Sequence, residues 1–160
     1  MNAVDPIPAD RPHVVPYLCV KGAVAAIDWY AEAFGAVVCR RLPAPDGRLL
    51  HAEIEIGGHL VFLADDFPEM MDGQESSPSA TGVTTVTLHR YVADCDAVVA
   101  KASEAGAEVL MPPTDMFWGD RFAMIRDPFG HEWSIATHLR DVSDEEATAG
   151  AAAMFAESEG

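Results

Sequence analysis

Apolar and polar positions change period along the chain in a way that repeats, giving two copies of one pattern over residues 14–64 and 83–137. In the first copy, VVPYLCV (14–20) is a short β-rich run. It gives way to AVAAIDWYAEAF (23–34), where Ile27, Tyr30, Ala31 and Phe34 recur at helical spacing and Gly35 stands where a helix C-cap belongs. AVVCRRL (36–42) then reads as a strand and PAPDG as a turn. LLHAEIEI (49–56) reads as a strand that Gly57-Gly58 joins to HLVFLA (59–64) in a tight hairpin. The order is βαβββ.

The second copy opens with VTTVTLHRYV (83–92), continues through a helical DCDAVVAKASEAGA with Asp94 as N-cap, and breaks at Gly106. EVLMPP (108–113), DRFAMIR (120–126) and HEWSIAT (131–137) supply three strands, the last two joined by D-P-F-G, which suits a type I turn. The chain is therefore expected to be α+β, two βαβββ modules (14–67 and 83–138) forming a cupped mixed sheet. An extension (1–13), a Ser-, Gly- and acid-rich mobile linker (68–82) and a C-terminal helix and tail (139–160) complete it. The helix starts at a Ser143/Glu146 capping box, and its apolar face of Ala147, Ala151, Met154 and Phe155 is modest.

Alternation also predicts faces. With Gly57-Gly58 as the turn, Ile56 faces His59, Ile54 faces Val61 and Ala52 faces Leu63, which makes one side apolar. The other side carries His51, Glu53, Glu55, Leu60, Phe62 and Ala64, a mixture that suits a cavity wall. The same offset in the second module groups Arg121, Ala123 and Ile125 with Glu132, Ser134 and Ala136, and turns Trp133 and Ile135 toward the helix.

Ten basic against 26 acidic residues give a formal charge of −16. Such a surface repels a phosphate backbone, so neither nucleic acid nor an anionic membrane is an expected partner; the charge reads either as a solubility feature or as an attraction for cationic small molecules. Cys19, Cys39 and Cys95 lack any CxxC pair and read as reduced thiols. No apolar run approaches the ~20 residues of a spanning helix, and MNAVDPIPADRPH has no basic start or apolar signal core, so the expected location is cytoplasmic.

Known catalytic signatures (GxSxG, P-loop, GxGxxG, HExxH) do not occur. Two local features carry candidate chemistry. MPPTDMFWGDRF (111–122) places Phe117 and Trp118 beside a Gly-Asp-Arg turn, where they form a stacking wall with Tyr17 and Phe62 opposite, or plug the end of the module. Asp120 and Arg121 pair with each other or orient a ligand. Glu53, close to His51, reads either as a general base with a raised pKa or as an ordinary strand glutamate. Asp127 reads as a turn residue, and His13, His131 and His138 as exposed.

F-G-A and A-G-A after the two helices, together with D-P-F-G-H-E-W-S-I (127–135), resemble the vicinal oxygen chelate superfamily, which holds glyoxalase I, extradiol dioxygenases and bleomycin-binding proteins. V-P-Y-L (15–18), H-A-E (51–53), F-W-G-D-R-F (117–122), D-P-F-G-H-E-W-S-I-A-T-H (127–138) and D-V-S-D-E-E (141–146) are similar to its PhnB-like branch. The resemblance implies metal ligands on the first and fourth strand of each module, which here fall on Val15, Phe62, Thr85 and Ser134. None of these is a metal ligand of ordinary strength.

The leading expectation is thus a metal-independent, homodimeric small-molecule-binding protein without cofactor, its ligand touched by Tyr17, Phe62, Thr85, Phe117, Trp118, Arg121 and Ser134. Two alternatives stay open. One is an enzyme of lyase or isomerase type, with Glu53 and His51 catalytic through a divalent metal or with Glu53 as base. The other is a protein-interaction module.

Overall fold

Helix α1 (Ala23–Phe34) buries Ala23, Ala26, Ile27, Tyr30, Ala33 and Phe34, and the apolar side of the hairpin, Ala52, Ile54 and Leu63, is fully buried beside it. The sheet below it holds β1 (Tyr17–Val20), β2 (Val37–Pro43), β3 (Leu49–Ile56) and β4 (His59–Asp65) in the order β1-β4-β3-β2. The α1 crossover carries the chain from β1 to β2, two antiparallel steps lead on to β4, and β1 pairs with β4 in parallel. Gly35 ends α1 at φ +69°, its N–H donating to the Ala31 carbonyl, so the predicted C-cap is in place. The start of α1 is held from a distance: Asp65 Oδ1 accepts the Gly22 and Ala23 N–H groups and Oδ2 that of Leu49.

The computed structural model describes residues 5–9 and 11–158, the last two of these by backbone alone. Residues 1–4 and 10 of the expected extension and 159–160 of the tail lie outside the described residues. The chain divides into two compact units, 1–81 and 82–160. In the Ser- and acid-rich stretch between the modules, a 3-10 turn (Pro68–Met70) and the short helix α2 (Pro78–Thr81) are tied back to the end of β4. The Asp66 carboxylate accepts the Ser76 and Ser77 N–H groups at 2.9 Å, and Ser77 is buried.

The second unit repeats the first, with β5 (Thr87–Tyr91), α3 (Cys95–Glu104), β6 (Glu108–Asp115), β7 (Asp120–Arg126) and β8 (Glu132–His138) in the order β5-β8-β7-β6. Asp94 caps α3 by accepting the Ala97 N–H. With the C-terminal α4 (Asp144–Ser158), which opens on the expected Ser143/Glu146 box, the fold is α+β with two mixed sheets. Among the described residues, no helix is long and apolar enough to cross a membrane.

The predicted register of the first hairpin holds at every pair, from Ile56 with His59 to Ala52 with Leu63. In the second it is off by one. Residues 127–131 close the loop, so Arg126 faces Glu132, Met124 faces Ser134 and Phe122 faces Ala136. Arg121, Ala123 and Ile125 therefore share the face of Ile135 and Trp133, beside α3.

Helix α4 packs within its own unit. A Cβ at Gly150 would lie 2.6 Å from Cδ2 of Phe117, so the helix touches that ring through a residue with no side chain. The approach to α4 is pinned as well, since the Leu139 and Arg140 N–H groups both donate to the Gly119 carbonyl.

Candidate functional site

On the first sheet's mixed face the ladder sets Tyr17, Phe62, Glu53 and Arg40 side by side across β1, β4, β3 and β2. His51 stands next to Glu53 on the same side of β3. The Tyr17 hydroxyl lies 2.8 Å from His51 Nδ1, and His51 Nε2 lies 3.3 Å from Glu53 Oε1. With Tyr17 donating to Nδ1, a neutral imidazole keeps its proton on Nε2 and donates it to Glu53. The three rings pack edge to face, Tyr17–His51 at 5.4 Å and His51–Phe62 at 4.8 Å between centroids.

Glu53 is only 4% exposed, and its Oε2 accepts from Arg11 Nη1 at 2.5 Å while Arg40 Nη1 stands 4.0 Å from Oε1. Burial alone would push this carboxyl up, but the Arg11 and His51 hydrogen bonds outweigh it and hold Glu53 below the usual glutamate range. This corrects the expected raised pKa: Glu53 is an anchored anion, poorly suited to take a proton. Burial, and then Cys19, raises the Tyr17 phenol, while burial and Asp66 push Cys19 up to about 11, so both keep their protons.

The second unit arranges rings differently. Ser134 Oγ lies 2.7 Å from His89 Nδ1, and His89 meets Tyr91 edge-on at 4.6 Å and stacks toward Phe122 at 6.4 Å. Trp118 packs on Phe122 at 5.5 Å and on Phe117 at 4.9 Å, both tryptophan contacts edge-on. Trp118, Phe117 and Phe122 are half-buried and Tyr91 is exposed.

Buried Asp120 does not pair with Arg121. It accepts the Tyr91 hydroxyl at 3.2 Å and lies 2.9 Å from His138 Nδ1, whose other ring nitrogen lies 3.1 Å from Asp141. Arg121 is taken up by Asp96 and Asp115, so it does not share the ligand face with Ser134.

Thr85 is corrected too. β5 begins at Thr87, and the residue opposite Ser134 is His89; likewise Tyr17, and not Val15, stands opposite Phe62. The VTTV run is β-rich in composition but lies mostly exposed before the ladder starts. His131 is buried, contrary to its expected exposure, because Asp127 folds the turn inward: Oδ1 accepts the Phe129 and His131 N–H groups, and Oδ2 accepts Trp133 Nε1–H.

The Asp120 and then the Asp141 hydrogen bond raise the His138 pKa above its usual value of about 6.5. What His138 contributes to stability is thus fully present below that ordinary value and lost as pH rises through the raised one. In an NMR titration of the imidazole resonances, His138 is expected to titrate above 6.5 and Asp120→Asn to bring it back down. A wild-type midpoint at or below 6.5 would contradict the geometry.

A glyoxalase-type centre would draw on the paired first- and fourth-strand positions, which are Tyr17, Phe62, His89 and Ser134. One imidazole among two aromatic rings and a hydroxyl offers no charge to replace a divalent ion's hydration. Among the described residues, no group of three or more His, Cys, Asp or Glu could hold a metal ion. These residues do not fit such a centre.

Tandem βαβββ units with mixed four-stranded sheets define a class of paired-module proteins. The chain belongs to the Glyoxalase/Bleomycin resistance protein/Dioxygenase superfamily, whose profile matches residues 11–135. An uncharacterized protein of Mycobacterium bovis is 44% identical over 136 residues, covering 85% of this chain and 90% of its own. TioX from Micromonospora sp. ML1 is similar at 27% identity and TM-score 0.60, over 81% of this chain and 100% of that one. The PhnB protein of Bacillus cereus shares the fold at 15% identity and TM-score 0.59, over 79% of this chain and 99% of that one.

Proposed function

We propose that the protein binds a small planar organic molecule without the help of a metal. The observation that carries this reading is the ring set of the second unit: Trp118, Phe122, His89 and Tyr91, half-buried or exposed, with the Ser134 hydroxyl and the Asp120 carboxylate at its edge. Rings supply area at low entropic cost and the few polar groups fix orientation. A formal charge of −16 favours a cationic ligand, which ring faces also attract.

Trp29 and Trp133 are buried and Trp118 is half-buried, and binding is followed on the ligand's own fluorescence so that the native protein and Trp118→Ala are read in the same way. With 9-aminoacridine as probe, saturable quenching is expected. Trp118→Ala should weaken binding by about 1–3 kcal/mol, the scale of burying one large side chain, and leave the circular dichroism spectrum unchanged. Quenching that never saturates, or an affinity indifferent to Trp118→Ala, would refute the reading.

A further inference from the structure

We propose that the Glu53 face of the first unit is a receptor site for an organic cation of the guanidinium or amidinium class, and that Arg11 is the chain's own occupant of it. The inference goes beyond the ring set of the second unit and stands on residues of the first unit alone.

A carboxylate 4% exposed within a sheet face is costly unless a cation meets it. The fold does not require one there. Glu53 lies opposite Phe62, just as Met124 lies opposite Ser134 in the second unit, so the same scaffold closes with an apolar residue at the matching place. Glu53 is also the more deeply placed partner: its side chain is 6% exposed, against 32% for Arg11.

Of the two guanidinium groups near Glu53, Arg40 of β2 stands off at 4.0 Å, and the one in hydrogen-bond contact comes from outside the strands and helices. Arg11 sits in the segment before β1, whose described residues form turns and bends only, and its backbone N–H is satisfied locally by the Pro8 carbonyl. Its guanidinium reaches Glu53 Oε2 at 2.5 Å across 42 positions of sequence. The other oxygen, Oε1, faces the His51 Nε2–H at 3.3 Å and Arg40 at 4.0 Å. The acceptor thus belongs to the hydrogen-bonded sheet, while the donor lies outside it.

The neighbourhood suits a flat cation. Tyr17, His51 and Phe62 form a ring cluster with Tyr17–Phe62 centroids 5.7 Å apart, and ring faces attract guanidinium and amidinium groups. Carboxylates pair with planar N–H forks in two parallel hydrogen bonds, a geometry that guanidinium and amidinium groups share.

Benzamidine, a flat aromatic amidinium, is the probe, and benzamide is its neutral isostere. Arg11→Ala removes the built-in cation and is expected to lower the melting temperature. Benzamidine should restore it, binding the variant at least tenfold more tightly than the native protein in calorimetry. Benzamide should do neither. In the double variant Arg11→Ala/Glu53→Gln, which has no buried charge to satisfy, benzamidine should have no effect.

A folded Arg11→Ala protein that ignores benzamidine, or one that binds benzamide equally well, would overturn the proposal. So would benzamidine binding that survives Glu53→Gln. If Arg11→Ala does not fold by itself, refolding by benzamidine but not by benzamide supports the site, and refolding by neither overturns it. None of these readouts depends on Trp118, so they fail or succeed separately from the acridine titration.

Discussion

Gly119→Ala is expected to destabilise the protein by about 2–5 kcal/mol. The position has φ +98°, where an L side chain is strained by roughly 1–2 kcal/mol. A Cβ there would stand 2.2 Å from the Arg140 carbonyl oxygen and 2.8 Å from Val142 Cγ2, and forcing extra atoms into a filled space adds about 1–3 kcal/mol. The backbone cannot step aside cheaply, because the Gly119 carbonyl is held by the Leu139 and Arg140 N–H groups. Gly58→Ala is the matched control. It has φ +82° with nothing within 4 Å of the added carbon, so it should show the strain alone, about 1–2 kcal/mol. Urea denaturation of both variants checks the pair, and equal losses would mean that the close approach at Gly119 carries no cost.

Asp127→Ala is expected to cost about 2–6 kcal/mol. Its carboxylate, 3% exposed, accepts from the Phe129 and His131 backbone and from Trp133 Nε1. Removing it strands the His131 and Trp133 donors in buried surroundings, at about 1–3 kcal/mol for each unsatisfied group, while the part-buried Phe129 N–H can turn to water. Asp127→Asn separates the two roles. Its carbonyl oxygen can still serve the two backbone donors, but its NH₂ group opposes the tryptophan N–H, so a loss of about 1–2 kcal/mol is expected. Thermal unfolding followed by circular dichroism tests both, and an alanine variant within about 0.5 kcal/mol of wild type would show that the turn does not depend on this carboxylate.

The two βαβββ patterns were legible because period, caps and turns agree locally: Gly35, Asp94, the Gly57-Gly58 hairpin and the Ser143/Glu146 box each act within a few residues. What escaped the sequence acts over distance or turns on a single residue of register. The second hairpin has a five-residue loop, and one position of slip moved Arg121 to the wrong face. Asp65 caps a helix more than forty positions upstream, and no local pattern signals that. The turn role of Asp127 could be read, but its bond to Trp133, and with it the burial of His131, could not.

The candidate site follows the same division. His51, Glu53 and Phe62 were placed on a common face by alternation alone, and the ladder confirms that placement, while it puts Tyr17 where Val15 was expected. The partner that sets the charge of Glu53, Arg11, lies in a segment without periodicity, so the expected pKa had the wrong sign. Thr85 was misplaced because β-rich composition continues four residues beyond where the ladder can pair.

The contact between Gly150 and Phe117 ties two distant positions into one unit of inheritance. A helix interior is a poor place for glycine, by about 1 kcal/mol relative to alanine, and at 150 that cost is accepted because the ring leaves no room for a methyl group. A related chain that shortens residue 117 loses the reason for glycine at 150 and is free to carry alanine there. A chain that keeps the phenyl ring is not. Substitutions at the two positions should therefore travel together through descent, and grafting either residue by itself into a relative would import half of a joint.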